Sequence, residues 1–185
     1  MKAIFILLLV LAASACDNRQ KEVRPPEDYS EQGAVDAAHA GLSLAMTGLG
    51  QQAFTAHNEW MRVETITQEL EREQRPKETE ALSKELAEAT AAKAGADEAY
   101  ASQVQRIQAA ADSGRALLNA PALPKSLKLL EAEIQSAERL VSGLAEWRER
   151  ADAAARKLLD TTDSEQKHDA QREYYKAAKQ SADLK

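Results

Sequence analysis

Small and apolar residues recur along this chain in alternating steps of three and four, the spacing that gathers them on one side of an α-helix. The first stripe runs Val35, Ala38, Leu42, Ala45, Leu49, Ala56, Trp60, Val63 and Leu70, with Gln52 interrupting it. A second runs Leu82, Leu86, Ala89, Lys93, Ala96, Tyr100, Gln103, Ile107, Ala110, Gly114 and Leu117, a heptad rhythm with mostly small knobs. The third is the most strongly apolar: Leu127, Leu130, Ile134, Ala137, Val141, Leu144, Arg148, Ala151, Ala155 and Leu158. Arg75-Pro76 closes the first segment, and Pro76 suits the first position of the next helix, where its missing N–H costs nothing. The clearest break is Asn119 to Pro124, because prolines at 121 and 124 cannot continue a helix. Asp28 with Glu31, and Thr162-Asp163-Ser164-Glu165, have capping-box spacing; the second opens a final helix over 163–184.

The spans 31–74, 76–119 and 124–160 are nearly matched in length and joined by short connections. They predict an all-α fold, an antiparallel bundle of three long coiled-coil-like helices about 60 Å in length, plus a shorter C-terminal helix. An extended coiled coil that dimerises would use the same stripes, and the prolines favour the hairpins. Gly48-Leu49-Gly50 is a candidate break in the first helix, since each glycine costs about 1 kcal/mol relative to alanine. Glu71 with Arg75, Glu80 with Lys84 and Glu146 with Arg150 have the spacing of solvated-face ion pairs.

Composition supports long helices and removes several function classes. Aromatic residues make up 4% of the chain and alanine is abundant, which suits closely packed helices better than a β-sandwich. The net charge of −6 argues against nucleic acid as a partner, because phosphate binding needs clustered cations. There is no G-x-S-x-G, P-loop or H-E-x-x-H motif, and the carboxylates alternate with Lys and Arg along solvated faces. No enzyme, cofactor or small-molecule substrate is expected.

The N-terminal segment carries an address. Lys2 precedes an apolar run from Ala3 to Ala13, followed by Ser14-Ala15-Cys16 and the polar Asp17-Asn18-Arg19. A basic residue, a short apolar run and small residues before a cut site make a secretory signal too short for a mature membrane span. Cys16 is the chain's single cysteine, and Ala13-Ser14-Ala15-Cys16 resembles the lipobox of bacterial lipoproteins. The family usually carries leucine where Ala13 stands, and Ala13-Ser14-Ala15 also fits an ordinary A-x-A cleavage site. The resemblance covers residues 1–18. It implies diacylglycerol on the Cys16 thiol, which would also remove an unpaired thiol from an oxidising compartment. In enterobacterial lipoproteins Asp after the cysteine resembles a sorting signal, so Asp17 and Asn18 would imply the periplasmic face of the inner membrane, with the outer membrane as the alternative.

The expected organisation is therefore a signal peptide over 1–15, a lipidated cysteine with a polar tether over 16–27, and a helical domain over 28–185. Cleavage before Cys16 removes Lys2 and no acid, taking the net charge from −6 to −7. Attachment to the bilayer would come from the acyl chains, and Asp17 to Glu27 would reach about 35 to 40 Å.

Two groups of residues invite a functional reading. His39, Met46, His57 and Met61 lie in the first helical span and suggest copper or haem, but His39 and His57 are about 27 Å apart on one helix. His57 and Met61 share a face at four-residue spacing, which suits packing better than a metal, and no metal site is expected. His168, beside Glu165 and Asp169, reads as solvated surface. Residues 37–58 contain no Asp, Glu, Lys or Arg, so that helix should be covered on more than one side, from within the bundle or by a partner. A returning C-terminal helix would lie beside residues 52–74 and leave Leu42, Leu44, Met46 and Leu49 least covered, as a candidate partner-binding surface. The functional expectation is a non-catalytic adaptor or scaffold for an envelope protein. The alternatives are an inhibitor or immunity-type protein against a periplasmic effector, and a metal carrier resting on His57 and Met61.

Overall fold

The computed structural model describes residues 30–161 and 164–180, and these fold as an all-α helical bundle. The signal segment, Cys16, Asp17, Asn18, the tether, the cap at Asp28 and residues 162–163 of the second capping box lie outside the described residues. Five helices follow in order: α1 (Gln32–Met46), α2 (Leu49–Arg72), α3 (Pro76–Ala116), α4 (Pro124–Asp160) and α5 (Ser164–Gln180). Pro76 and Pro124 occupy the first turns of α3 and α4, where proline's fixed φ favours helix and no N–H is lost. Among the described residues no helix is long and apolar enough to cross a membrane.

The first long helix expected from the sequence is two helices. Thr47 is extended (ψ 126°) and Gly48 has φ +84°, a left-handed conformation that costs little only for glycine. The Thr47 N–H closes α1 on the Leu44 carbonyl at 3.1 Å, and the Gln52 N–H opens α2 on the Gly48 carbonyl at 3.0 Å. This break lets both segments turn their apolar residues inward: Val35 and Leu42 from α1, Leu49, Ala53, Ala56 and Trp60 from α2, all buried.

Side-chain pairs fix the helix directions. Gln103 of α3 donates to the Ala45 carbonyl of α1, and Arg62 of α2 meets Glu85 of α3 at 3.4 Å, so α3 runs opposite to α1 and α2. Arg115 with Glu138 and Asp97 with Arg148 set α4 opposite to α3. Consequently α1 and α2 run alongside α4 in the same direction, tied by Gln32 to Ser126 at 2.8 Å and His39 to Glu133 at 3.7 Å. α5 folds back on α4, with Lys157 to Glu173 at 2.8 Å and the Trp147 indole N–H donating to the Ala177 carbonyl at 2.9 Å.

The core gathers Leu42, Leu49, Ile107, Leu130, Ile134, Leu144 and Trp147 with alanines between them. Gly114 belongs to the seam between α3 and α4: a Cβ there would lie 3.2 Å from the methyls of both Leu130 and Ile134. The α3–α4 seam also carries a polar knot. Asp97 takes Lys93 at 2.7 Å and the Arg148 guanidinium, which lies 5.5 Å from the Tyr100 ring centroid. Partial burial pushes the Asp97 carboxyl up, but the bonds from Lys93 and Arg148 outweigh it and hold its pKa below the ordinary value. Among the surface pairs, Glu146 meets Arg150 at 3.6 Å, whereas Arg75 turns to Glu73 at 3.0 Å and Glu78 at 3.3 Å. The Glu73 carboxyl, which accepts from the Arg75 side chain and backbone, is lowered to about 2.

Two consequences are measurable by denaturant titration. Leu130→Asp or Ile134→Asp places an unpaired charge in the core and should lower stability by several kcal/mol, about 3 or more. Gly48 and Gly41 both have open space where a Cβ would go, so their alanine variants isolate the backbone effect. Gly48→Ala should cost about 1 to 2 kcal/mol for its left-handed backbone, whereas Gly41→Ala, inside α1, should gain about 0.5 to 1 kcal/mol.

Candidate functional site

The densest chemistry lies where α2, α4 and α5 meet. Ala53, Ala56, His57 and Trp60 recur at helical spacing on the buried side of α2, which carries the His57 ring into the bundle with no exposed surface. Its Nδ1 lies 2.6 Å from Asp152 Oδ1 on α4, and its Nε2 lies 3.4 Å from the Tyr174 hydroxyl on α5. Three aromatic rings enclose it, with centroids 6.0 Å away at Trp60, 5.7 Å at Trp147 and 5.9 Å at Tyr174. Trp147 stands edge-on at 69°, and the Arg156 guanidinium lies 5.2 Å from the Trp60 centroid.

Each ring nitrogen thus faces a polar group on a different helix, Nδ1 the Asp152 carboxyl and Nε2 the Tyr174 hydroxyl. Burial, with Tyr175 adding to it, pushes the Tyr174 hydroxyl pKa up, so it remains an O–H donor. A buried polar ring is tolerated because it is hydrogen-bonded, and here the bonds tie together three helices that are distant in sequence. The ring is completely covered by its neighbours. Its chemistry is that of a polar clamp within an aromatic cage.

The residues singled out in the sequence fall in different places. His57 faces Asp152 and Tyr174 while Met61, half-buried, is not among its polar partners; His39 faces Glu133. Among the described residues no group of three His, Cys, Asp or Glu side chains could hold a metal. The coverage expected for the uncharged segment needs correction. Leu42 and Leu49 are fully buried and Met46 is half-buried against the core, leaving only Leu44, at 74%, well exposed. Leu42 and Leu49 are one heptad apart on the seam, and α1 packs against both α3 and α4, which cover that seam whatever α5 does. Leu44, two residues from Leu42, points about 200° around the helix. The exposed side of this segment comprises small or uncharged residues such as Gly41, Ser43, Thr47 and Gln51, with Leu44 and Phe54 as its large apolar members.

Comparisons with protein-family models, curated proteins and solved structures give no match to this chain. The open surface offers a cleft of about 800 Å³ between α2, α4 and α5, where Arg72, Lys167 and His168 stand beside Glu69 over Leu158 and Leu159. Mixed charge and a wide mouth suit solvent rather than one ligand. His168 is exposed there.

The His57 cluster escaped the stripes because its members are 95 and 117 residues apart in sequence. One signal was present: Trp60 and Trp147 are the largest side chains of an aromatic-poor chain, and both are buried beside His57. That concentration also makes the cluster measurable by tryptophan fluorescence. His57→Ala should cost about 2 to 4 kcal/mol by leaving Asp152 without its partner. Tyr174→Phe, which removes only a long bond, should cost under about 1 kcal/mol. A double-mutant cycle should give stronger coupling for His57 with Asp152 than with Tyr174; the reverse order would mean that α5 docks through the hydroxyl.

Proposed function

We propose that this chain is a lipid-anchored bacterial envelope protein whose mature domain is a non-catalytic adaptor or scaffold for another envelope protein. The carrying observation is Ala13-Ser14-Ala15-Cys16, a lipobox-like sequence ending in the chain's single cysteine, ahead of a polar tether and a helical domain. In this reading residues 1–15 are removed, Cys16 is acylated, residues 17–27 form the tether, and the domain from 28 onward is an antiparallel bundle of coiled-coil-like helices. In the same reading Asp17-Asn18 acts as a sorting signal for the periplasmic face of the inner membrane, with the outer membrane as the alternative. An anchor of two or more acyl chains is effectively permanent, so the domain works within tether reach of its bilayer.

The domain supports an adaptor through what it presents. Its buried histidine is sealed, while the outer side of α1 and the start of α2 offers an uncharged strip with Leu44 and Phe54 exposed. Such a strip lets a protein partner approach with little charge to desolvate. Neutralising a basic periplasmic effector is the second reading, favoured by the mature net charge of −7, one below the −6 of the whole chain.

Metabolic labelling with a palmitate analogue tests the anchor: the wild type should be labelled, and Cys16→Ser should lose both label and membrane retention. A mature, unlabelled and unanchored wild type would overturn it. Density fractionation of wild type beside Asp17→Ser should move the protein from inner-membrane to outer-membrane fractions. A photocrosslinker at Leu44 should capture an envelope protein in intact cells more than one placed at Glu88, on the exposed face of α3.

A further inference from the structure

The end of the bundle at which the described chain begins carries a patch that the fold leaves uncovered. Ser30 and Glu31 lead into α1 beside the Leu117–Leu123 connection and the first turns of α4. Ala122 is buried under that connection, but Leu123 is 45% and Leu129 48% exposed, and Pro121 and Pro124 are also exposed. Lys125 and Lys128 stand exposed on the same first turns of α4, four residues and one residue before Leu129. Leu123 is held in place: its backbone N–H donates to Gln32 Oε1 at 2.7 Å, while Gln32 Nε2 donates to Ser126 Oγ at 2.8 Å. The apolar tip is therefore fixed relative to α1 and to the residues that precede it.

Exposed leucines beside lysines, whose stems are apolar and heads cationic, suit the layer between headgroups and acyl chains. We propose that this tip docks on the bilayer surface, Leu123 and Leu129 entering the interface while the Lys125 and Lys128 stems lie along it with their heads at headgroup level. The contact rests on the lipid anchor proposed above. Residues 17–29 reach at most about 45 Å, while α3 alone is about 60 Å long, so a bundle standing upright on the bilayer can do so on this end and not on the Arg72–Pro76 end. Glu31, Asp36 and Glu131 nearby are also exposed and outnumber the two lysines, so the leucines and not net charge carry the contact. The tether supplies the effective concentration that makes so small a patch sufficient.

The test uses the full acylated protein in vesicles of phosphatidylethanolamine and phosphatidylglycerol, with a fluorophore on Ala132→Cys beside the tip or on Lys77→Cys at the far end. A quencher confined to the lipid phase should quench the first label and spare the second. Leu123→Glu with Leu129→Glu should reduce quenching at 132 about tenfold, with circular dichroism confirming an unchanged helix content. Equal quenching at both positions, or quenching at 132 that survives the glutamates, overturns the docking contact while leaving the anchor intact. Absence of acyl label on Cys16 is a failure of the anchor itself. The unacylated protein is then held on the same vesicles by a histidine tag in place of residues 1–16 and a nickel-chelating lipid: quenching at 132 that the two glutamates abolish supports the tip, and equal quenching at 132 and 77 overturns it.

Discussion

Alanine fills much of the inner seam of this bundle, and that sets what else the chain must do. A buried alanine removes little apolar surface from water, so each turn contributes modestly and the helices must be long for the sum to exceed the entropy of ordering them. Small side chains also bring helix axes close, which leaves little tolerance for added volume; Gly114 against Leu130 and Ile134 is the tightest example. The large side chains are spent where more than two helices converge. Leu42 and Leu49 serve the upper seam, and Trp60, Trp147 and His57 serve the junction that recruits α5.

That junction differs in kind from the rest of the core. The apolar contacts of the seam are non-directional, so by themselves they would let the helices slide by a heptad at little cost. The His57–Asp152 pair and the Trp147 indole bond to Ala177 accept one register only. Asp97 with Arg148 and Gln103 with the Ala45 carbonyl act similarly along α3. Polar contacts thus select among the alignments that an alanine-rich seam leaves nearly degenerate.

The helices were legible in the sequence because their signals are local. The third stripe and its proline start coincide with α4 at Pro124–Asp160, and every residue of the second stripe avoids full exposure. The break at Thr47-Gly48 was visible as a glycine pair, but only the backbone shows that Gly48 is left-handed and divides α1 from α2. The burial of Leu42 and Leu49 was misjudged because cover was sought from the last helix, whereas α3 and α4 already enclose that seam. The histidine cluster was illegible for a different reason: its partners meet only after three helices have assembled, and no spacing along one helix encodes them. The address proposed from residues 13–17 rests, by contrast, on sequence alone.

The shared direction of α1 and α4 has a mechanical consequence. A pull on residue 30 along the bundle axis does not peel α1 away one turn at a time. It loads the seam in shear, so that Val35 and Leu42 must slide past α3 and α4 together while Gln32 is still bonded to Ser126 and to the Leu123 backbone. Resistance to such a load is governed by the unfolding rate rather than by equilibrium stability. The left-handed joint at Gly48 lies between the loaded helix and the histidine junction. Strain entering at the N-terminal end must pass through that joint before it reaches the cluster that holds α5.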